Sequence, residues 1–350
     1  MILRFVFVAA LLFQLSFLTK AKAATTPPEL VIYTYDSMLS KGGLGPAIFP
    51  VFEKRYHCKI RALAWGEGGQ IVSRIEIDAK RGKPTAHLVM GVDQSLWPSL
   101  KPWAYSWENW EPTGYSQLVK VAKVEQGFLP YDYSYLSLIA DSVALKALNS
   151  GPPRSLKELL EPRWKRNVIL QDPRTSTPGL GFFLFTHSLL GDATWNFWRN
   201  FKSQWLTLTP SWDSAYHLFL KGEAPLVWSY VTSQAYHQEH ASAKAPVGRY
   251  QVALFEEGQP LQVEGAVWIK REDLKTQPEQ ALLIKQFLEY LISPEVQKKI
   301  PKTNWMLPVR ENTEIPESFR NLPKPIKTIS IQAQEVQPLL NKWNRSIVEK

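Results

Sequence analysis

The chain reads as an α/β protein of two lobes, each a mixed, mainly parallel sheet flanked by helices. Three observations lead there. Short runs of β-forming residues alternate with helical apolar patterns along the chain, which is the mark of α/β units. Acidic residues and glycines gather where the strand-like runs end, the place where such sheets form their crevice. Hydrophobic residues make up 45% of the 350 positions with no low-complexity tract, enough for one large or two medium domains.

The elements follow in order. Arg4 opens a short positive segment, Phe5 to Leu18 is almost uninterruptedly apolar, and Ala21-Lys22-Ala23 matches an A-x-A cleavage pattern, so residues 1–23 read as a signal peptide cut before Ala24. Leu30 to Tyr35 reads as the first strand, ended by Asp36-Ser37, with Gly42, Gly43, Gly45 and Pro46 marking a loop. Ile48 to Tyr56 predicts a helix, Lys59 to Trp65 a strand, Ile71 to Lys80 a helix and Ala86 to Val92 a third strand. Trp97 to Tyr115 is irregular and aromatic. Tyr133 to Asp141 reads as a strand, and Ser155-Leu156-Lys157-Glu158 fits a capping box that opens a short helix. Val168 to Gln171 and Leu226 to Tyr230 are strands, and Tyr250 to Phe255 with Gly265 to Ile269 reads as a strand pair. Glu279 to Ile292 is a strongly periodic helix, and Ser293-Pro294-Glu295 starts another with Pro at its first position. The expected division is 24–130 plus 257–350 for one lobe and 131–256 for the other.

Charge and cysteine content narrow the class. The formal net charge is +9; Arg4, Lys20 and Lys22 lie in the expected leader, which leaves about +6 on the rest. The basic residues are scattered, which argues against a nucleic-acid partner. Cys58 is the one cysteine, so no internal disulfide can form, and no cysteine follows the cleavage site to carry a lipid anchor. No later apolar run is long enough to cross a bilayer. A released, soluble protein is expected, and in a bacterium the periplasm suits it.

Three groups of residues could bind something. Gln171 to Gly181 reads QDPRTSTPGLG: a strand end, three hydroxyls at Thr175, Ser176 and Thr177, then Pro178 and Gly179 at a helix start. Hydroxyls beside free helix N–H groups favour a phosphate or carboxylate, and the same residues would equally suit an ordinary capped helix start. Aromatic residues are in excess, with 14 Trp and 13 Tyr. Tyr35, Trp212, Tyr230, Tyr236 and Trp305 fall at strand ends or in loops, where ring faces would attract cations and stack on heterocycles, although core packing is the commoner use of Trp. Asp36, Glu67 and Asp93 fall at three successive strand ends, where a carboxylate accepts from an amine, balances a cation or caps a helix. Catalytic patterns are weak. His237-Gln238-Glu239-His240 lacks the zinc-protease spacing, there is no Gly-x-Ser-x-Gly, and Cys58 sits at a strand start away from the crevice loops.

Val31 to Ser37, Gln171 to Gly181, Leu218 to Glu223 and Pro301 through Asn304-Trp305-Met306-Leu307-Pro308 together resemble the thiamine-binding periplasmic proteins of ABC importers, from about Leu30 to near the C-terminus. The resemblance implies a type II periplasmic-binding fold with the ligand between the lobes, no catalysis and no metal or cofactor. It implies that thiamine or its mono- and diphosphate is handed to a membrane permease. Tyr35, Trp212, Tyr230, Tyr236 and Trp305 would line the pocket, Glu67 would meet the aminopyrimidine, and Ser176, Thr177 and Pro178 would lie at the phosphate end or pocket wall. Glu67 stands where the family has an aspartate, and a family tryptophan near Gly42 is missing. Ferric iron, a polyamine, or a thiamine-degrading activity that uses Cys58 are the competing expectations; Tyr230 and Tyr236 are not adjacent as iron-binding tyrosines would be.

Overall fold

The computed structural model describes residues 27–83, 85–331 and 336–349, so the expected leader lies outside the described residues. Strand β1 (Glu29–Thr34) buries every residue from Leu30 to Thr34, as a central parallel strand rich in β-formers should. Helix α1 (Leu44–Tyr56) turns Leu44, Ile48 and Phe52 inward and stops at His57, which takes the left-handed conformation. β2 (Lys59–Ala64), α2 (Gly68–Lys80) and β3 (Leu88–Asp93) complete the first α/β units. After α3 (Trp97–Leu100) the aromatic stretch runs through single turns into β4 (Phe128–Asp141), whose terminal Asp141 carboxylate accepts from the Val143 and Ala144 N–H groups and caps α4 (Ser142–Ala147).

The chain then builds β5 (Val168–Gln171), α5 (Thr177–Leu190), α6 (Thr194–Phe201), β6 (Trp205–Thr209), α7 (Trp212–Leu220), β7 (Leu226–Tyr230), α8 (Ser233–Glu239) and β8 (Tyr250–Ala253). It returns through β9 (Gln259–Trp268), followed by α9 (Pro278–Leu291), α10 (Pro294–Gln297), α11 (Ile300–Thr303), β10 (Leu307–Pro308), α12 (Glu317–Arg320), β11 (Thr328–Ile329) and α13 (Val336–Trp343).

The strands join in the order β2-β1-β3-β9-β4-β7-β5-β6. Two wings of parallel pairs, β2-β1-β3 and β7-β5-β6, meet through the antiparallel pair β9 and β4. β4 serves both wings. Phe128 to Tyr135 pairs with β9, and Leu136 to Ala140 pairs with β7.

Two sequence expectations change. β8 pairs with β4 rather than with β9, because β9 is already flanked by β3 and β4. Ser155 does cap, accepting from the Glu158 N–H at 3.1 Å, but the helix it opens is one 3₁₀ turn over Glu158–Leu160. The C-terminal segment makes contacts with α6 and the turn after it. Trp343 packs edge-on against Trp198, with ring centroids 5.5 Å apart, and Lys202 donates to the Ile347 carbonyl at 2.8 Å. Helix α5 buries all of Pro178 to Thr186, and a helix apolar all round needs cover on its outer face as well as against the sheet. Val336, Leu340 and Trp343 on α13 supply apolar surface there.

Candidate functional site

A cavity of about 510 Å³ opens where the wings meet. Its walls come from loops and helix starts that follow strands of both wings, as expected for sheets of this kind. Tyr35 follows β1, and Glu67 with Gly68 follows β2. Thr177 and Pro178 begin α5; Trp212, Asp213, Tyr216 and His217 lie on α7. Tyr230 ends β7, Ser233 and Tyr236 lie on α8, Glu264 is in β9, and Asn304, Trp305 and Met306 follow α11.

Backbone requirements hold the first wall. Gly91 has φ +83°, and a Cβ placed there would meet the Tyr35 ring at 2.0 Å, so only glycine lets that ring lie flat against β3. Tyr35 Oη lies 2.9 Å from Asn304 Oδ1 and 3.2 Å from Glu264 Oε2 and donates to these oxygens. Tyr131 Oη donates to the same Glu264 oxygen at 2.9 Å, and Asn304 Nδ2 donates to Asp132. Gln70 reaches back to accept from the Glu67 N–H at 2.8 Å, which sets the start of α2.

Aromatic contacts build the opposite wall. Trp212 stacks on Tyr216 with centroids 4.8 Å apart, and its Nε1 donates to Ser229 Oγ at 2.8 Å. Tyr230 Oη accepts from Gln262 Nε2 at 3.0 Å. Tyr236 meets Trp305 edge-on at 4.9 Å. Trp305 itself has φ 54°, a left-handed conformation that is costly for a bulky residue, and strain of that kind clusters at ligand clamps.

The electrostatics are one-sided. Burial pushes the Glu67 carboxyl up to about 7, helped by Asp213, Glu264 and Asp36. Burial also raises Glu264 to about 7 against the pull of the Tyr131 and Tyr35 hydroxyls. Asp132, paired with Glu264 across β4 and β9, is raised as well, by burial and by Glu264. Among the residues lining the cavity none is Lys or Arg. Aromatic faces above uncompensated carboxylates suit an organic cation with a flat ring.

Eight of the nine residues that the sequence singled out line this cavity: Tyr35, Glu67, Thr177, Pro178, Trp212, Tyr230, Tyr236 and Trp305. Ser176 does not. It is the N-cap of α5, 1% exposed, with its hydroxyl unpartnered inside the protein. Its neighbour Thr175 turns away and donates to the Pro210 carbonyl at 2.7 Å. Of the other strand-end acids, Asp93 is buried and accepts from the Ser95 and Leu96 N–H groups, and Asp36 accepts from the Gly66 N–H. They serve as caps.

Glu264, Asn304, Asp213 and Tyr216 were missed. Glu264 sits mid-strand in Val263-Glu264-Gly265, where the only signal is a charge inside an apolar strand. Cys58 is buried, its thiol is pushed up by burial, and it does not line the cavity. Among the described residues no group of three or more His, Cys, Asp or Glu could hold a metal ion, and no helix is long and apolar enough to cross a membrane.

Comparison with known proteins gives a consistent picture. Residues 112–335 match a family described as bacterial extracellular solute-binding protein. The chain is 37% identical over 327 residues to a thiamine-binding periplasmic protein of Brucella melitensis biotype 1, covering 92% of each chain. It is 37% identical over 336 residues to that of Salmonella typhimurium, covering 93% of this chain and 96% of the relative. Among solved structures, a periplasmic thiamin binding protein is similar with a TM-score of 0.79 at 35% identity, over 92% of this chain and 96% of the other. The chain belongs to the bacterial extracellular solute-binding proteins, and within them to the family of thiamine-binding periplasmic proteins.

Proposed function

We propose that this chain binds thiamine in the cavity between the wings and delivers it, as a soluble periplasmic protein, to the membrane permease of an ABC importer. The observation that carries the reading is the pairing of aromatic walls with acids that have no cationic partner. Thiamine joins an aminopyrimidine to a positively charged thiazolium. Trp212, Tyr230, Tyr236 and Trp305 offer faces to the rings, Glu67 an acceptor for the amine, and Glu264 a charge beneath the cation. The two wings act as lobes that close on the ligand by bending where β4 and β9 pass between them, with the chain after β10 as a third connection. The closed form docks on the permease.

Calorimetric titration of the purified chain tests this. Thiamine should bind with measurable heat at micromolar protein, and the absence of any heat would sink the reading. Binding should also release protons near neutral pH. Glu67 and Glu264 lie near 7 in the free protein and are partly protonated there, whereas a bound cation favours their ionised forms. Affinity is therefore expected to rise as pH goes from 6 to 8. Titration in two buffers of different ionisation heat counts the protons; proton uptake, or none, would contradict the assignment of these acids.

A further inference from the structure

We propose that His237, which does not line the cavity, positions its aromatic wall as the acceptor that ends a relay of hydrogen bonds starting at Trp212. The inference rests on the cavity being the thiamine site and adds a residue that acts on it from behind. His237 belongs to the His237-Gln238-Glu239-His240 run that lacks zinc spacing. On α8, Ser233 and Tyr236 reach the cavity, whereas His237 turns to α7, where its Nε2 lies 2.8 Å from Tyr216 Oη.

The relay has one consistent direction. An indole N–H can only donate, and that of Trp212 goes to Ser229 Oγ at 2.8 Å. Among the described residues the buried Ser229 hydroxyl has one further partner, Ser233 Oγ at 2.9 Å, so its own proton points there. Burial pushes the Tyr216 hydroxyl up, against the pull of the Ser233 hydroxyl hydrogen-bonded to it, so Tyr216 keeps its proton. That proton goes to His237 Nε2, which accepts only while the imidazole is neutral. Burial lowers His237 to about 4, helped by the charges of His240 and Arg249 and opposed by Asp141, which is ion-paired to Arg249 at 2.7 Å. The ring is therefore uncharged across the neutral range.

Ring packing reinforces the relay. Trp212 stacks on Tyr216, Tyr216 lies within 18° of parallel to the His237 ring at 5.8 Å, and His237 packs on Tyr250 at 4.2 Å. The imidazole nitrogen thus fixes the ring that serves Trp212 as its platform. Trp212 and Tyr216 are four residues apart on α7, as Ser233 and His237 are on α8, so the relay ties matching faces of the two helices. A flat ring without the acceptor would leave the last proton unpaired. Reversal is barred at the other end, because Ser229 would then receive two protons and have no acceptor for its own.

Calorimetry with thiamine and the Trp212 indole N–H resonance of the ligand-free protein, assigned by its absence from Trp212→Phe, test the proposal together. His237→Phe should move that resonance and lower the affinity about tenfold. His237→Gln, which keeps an acceptor, should leave the resonance near its wild-type position and the affinity within about threefold. On a Tyr216→Phe background, adding His237→Phe should change the affinity less than about twofold, because the hydroxyl through which it acts is gone. An unmoved resonance in His237→Phe, equal losses in the Phe and Gln variants, or the full loss repeated on the Tyr216→Phe background would overturn the role of His237 and leave the thiamine reading intact. A wild-type chain that does not bind thiamine would overturn that reading, and the Trp212 resonance would still decide whether His237 sets the wall.

Discussion

Trp228→Ala is expected to cost about 3–5 kcal/mol of folding stability, the range for deleting a fully buried Trp. The ring is 0% exposed on β7 and lies 4.7 Å from Phe182, with Phe185 and Phe255 stacked at 6.2 Å. It does more than fill space. Its Nε1 donates to the Pro178 carbonyl at 2.9 Å, and its own carbonyl accepts from Gln171 Nε2 at 2.9 Å. The two ends of the QDPRTSTP turn are thus tied to one strand residue, so the substitution should weaken ligand binding as well as stability. Urea unfolding measures the first effect and calorimetry the second. Trp228→Phe separates the terms: most of the packing stays and the Pro178 carbonyl loses its donor, for about 1–3 kcal/mol. A loss below about 1 kcal/mol for the Ala variant would mean that the site collapses around the gap.

Glu264→Gln is expected to move stability and affinity in opposite directions. In the free protein Glu264 is buried, faces Asp132, and has no cation to balance it. Glutamine keeps an oxygen that can accept from both Tyr35 and Tyr131, so the hydrogen bonds survive while the buried charge goes. The ligand-free variant should therefore be more stable than the wild type at pH 8. The sign follows from linkage. The folded pKa, about 7, lies above the unfolded value of 4.5, so the native state holds the extra proton between them and its stability falls as pH rises through that window. The advantage of the variant should be largest above pH 7 and vanish towards pH 4.5.

Binding should go the other way. Truncating the charge of a buried pair costs about 2–5 kcal/mol, so the affinity for a cationic ligand should drop about 30-fold or more. Denaturation curves at pH 8 and pH 5, together with calorimetry, read both arms. A destabilised variant, or one whose affinity stays within about threefold, would show that Glu264 is a structural acceptor and not a counter-charge.

Trp228 and Glu264 differ in how they show in the sequence. Trp228 stands in an apolar strand run, and its burial is legible from that pattern alone. The aromatic residues at strand ends were legible as candidates because a ring in a loop has no core to fill. Trp212 and Trp305 reach the cavity, whereas Trp164, Trp198, Trp268 and Trp343 are fully buried. Glu264 was not legible, because one acid inside a strand says nothing about what lies across the sheet. Pairing β9 with β3 on one side and β4 on the other brings Asp93 and Asp132 beside it.

Local sequence determined the alternation of strands and helices, the starts and stops of most elements, and the strand-end positions from which a ligand can be reached. These depend on neighbours within a few residues, through side-chain periodicity, turn residues and caps. Tertiary structure alone decided three things: that β4 runs through both wings, that the C-terminal helix returns to cover α5, and which hydroxyl of Thr175, Ser176 and Thr177 faces the cavity. Each turns on contacts between residues far apart in the chain, such as Thr175 with Pro210 and Trp343 with Trp198. Adjacent residues of identical chemistry are separated only by the direction in which the packed backbone points them.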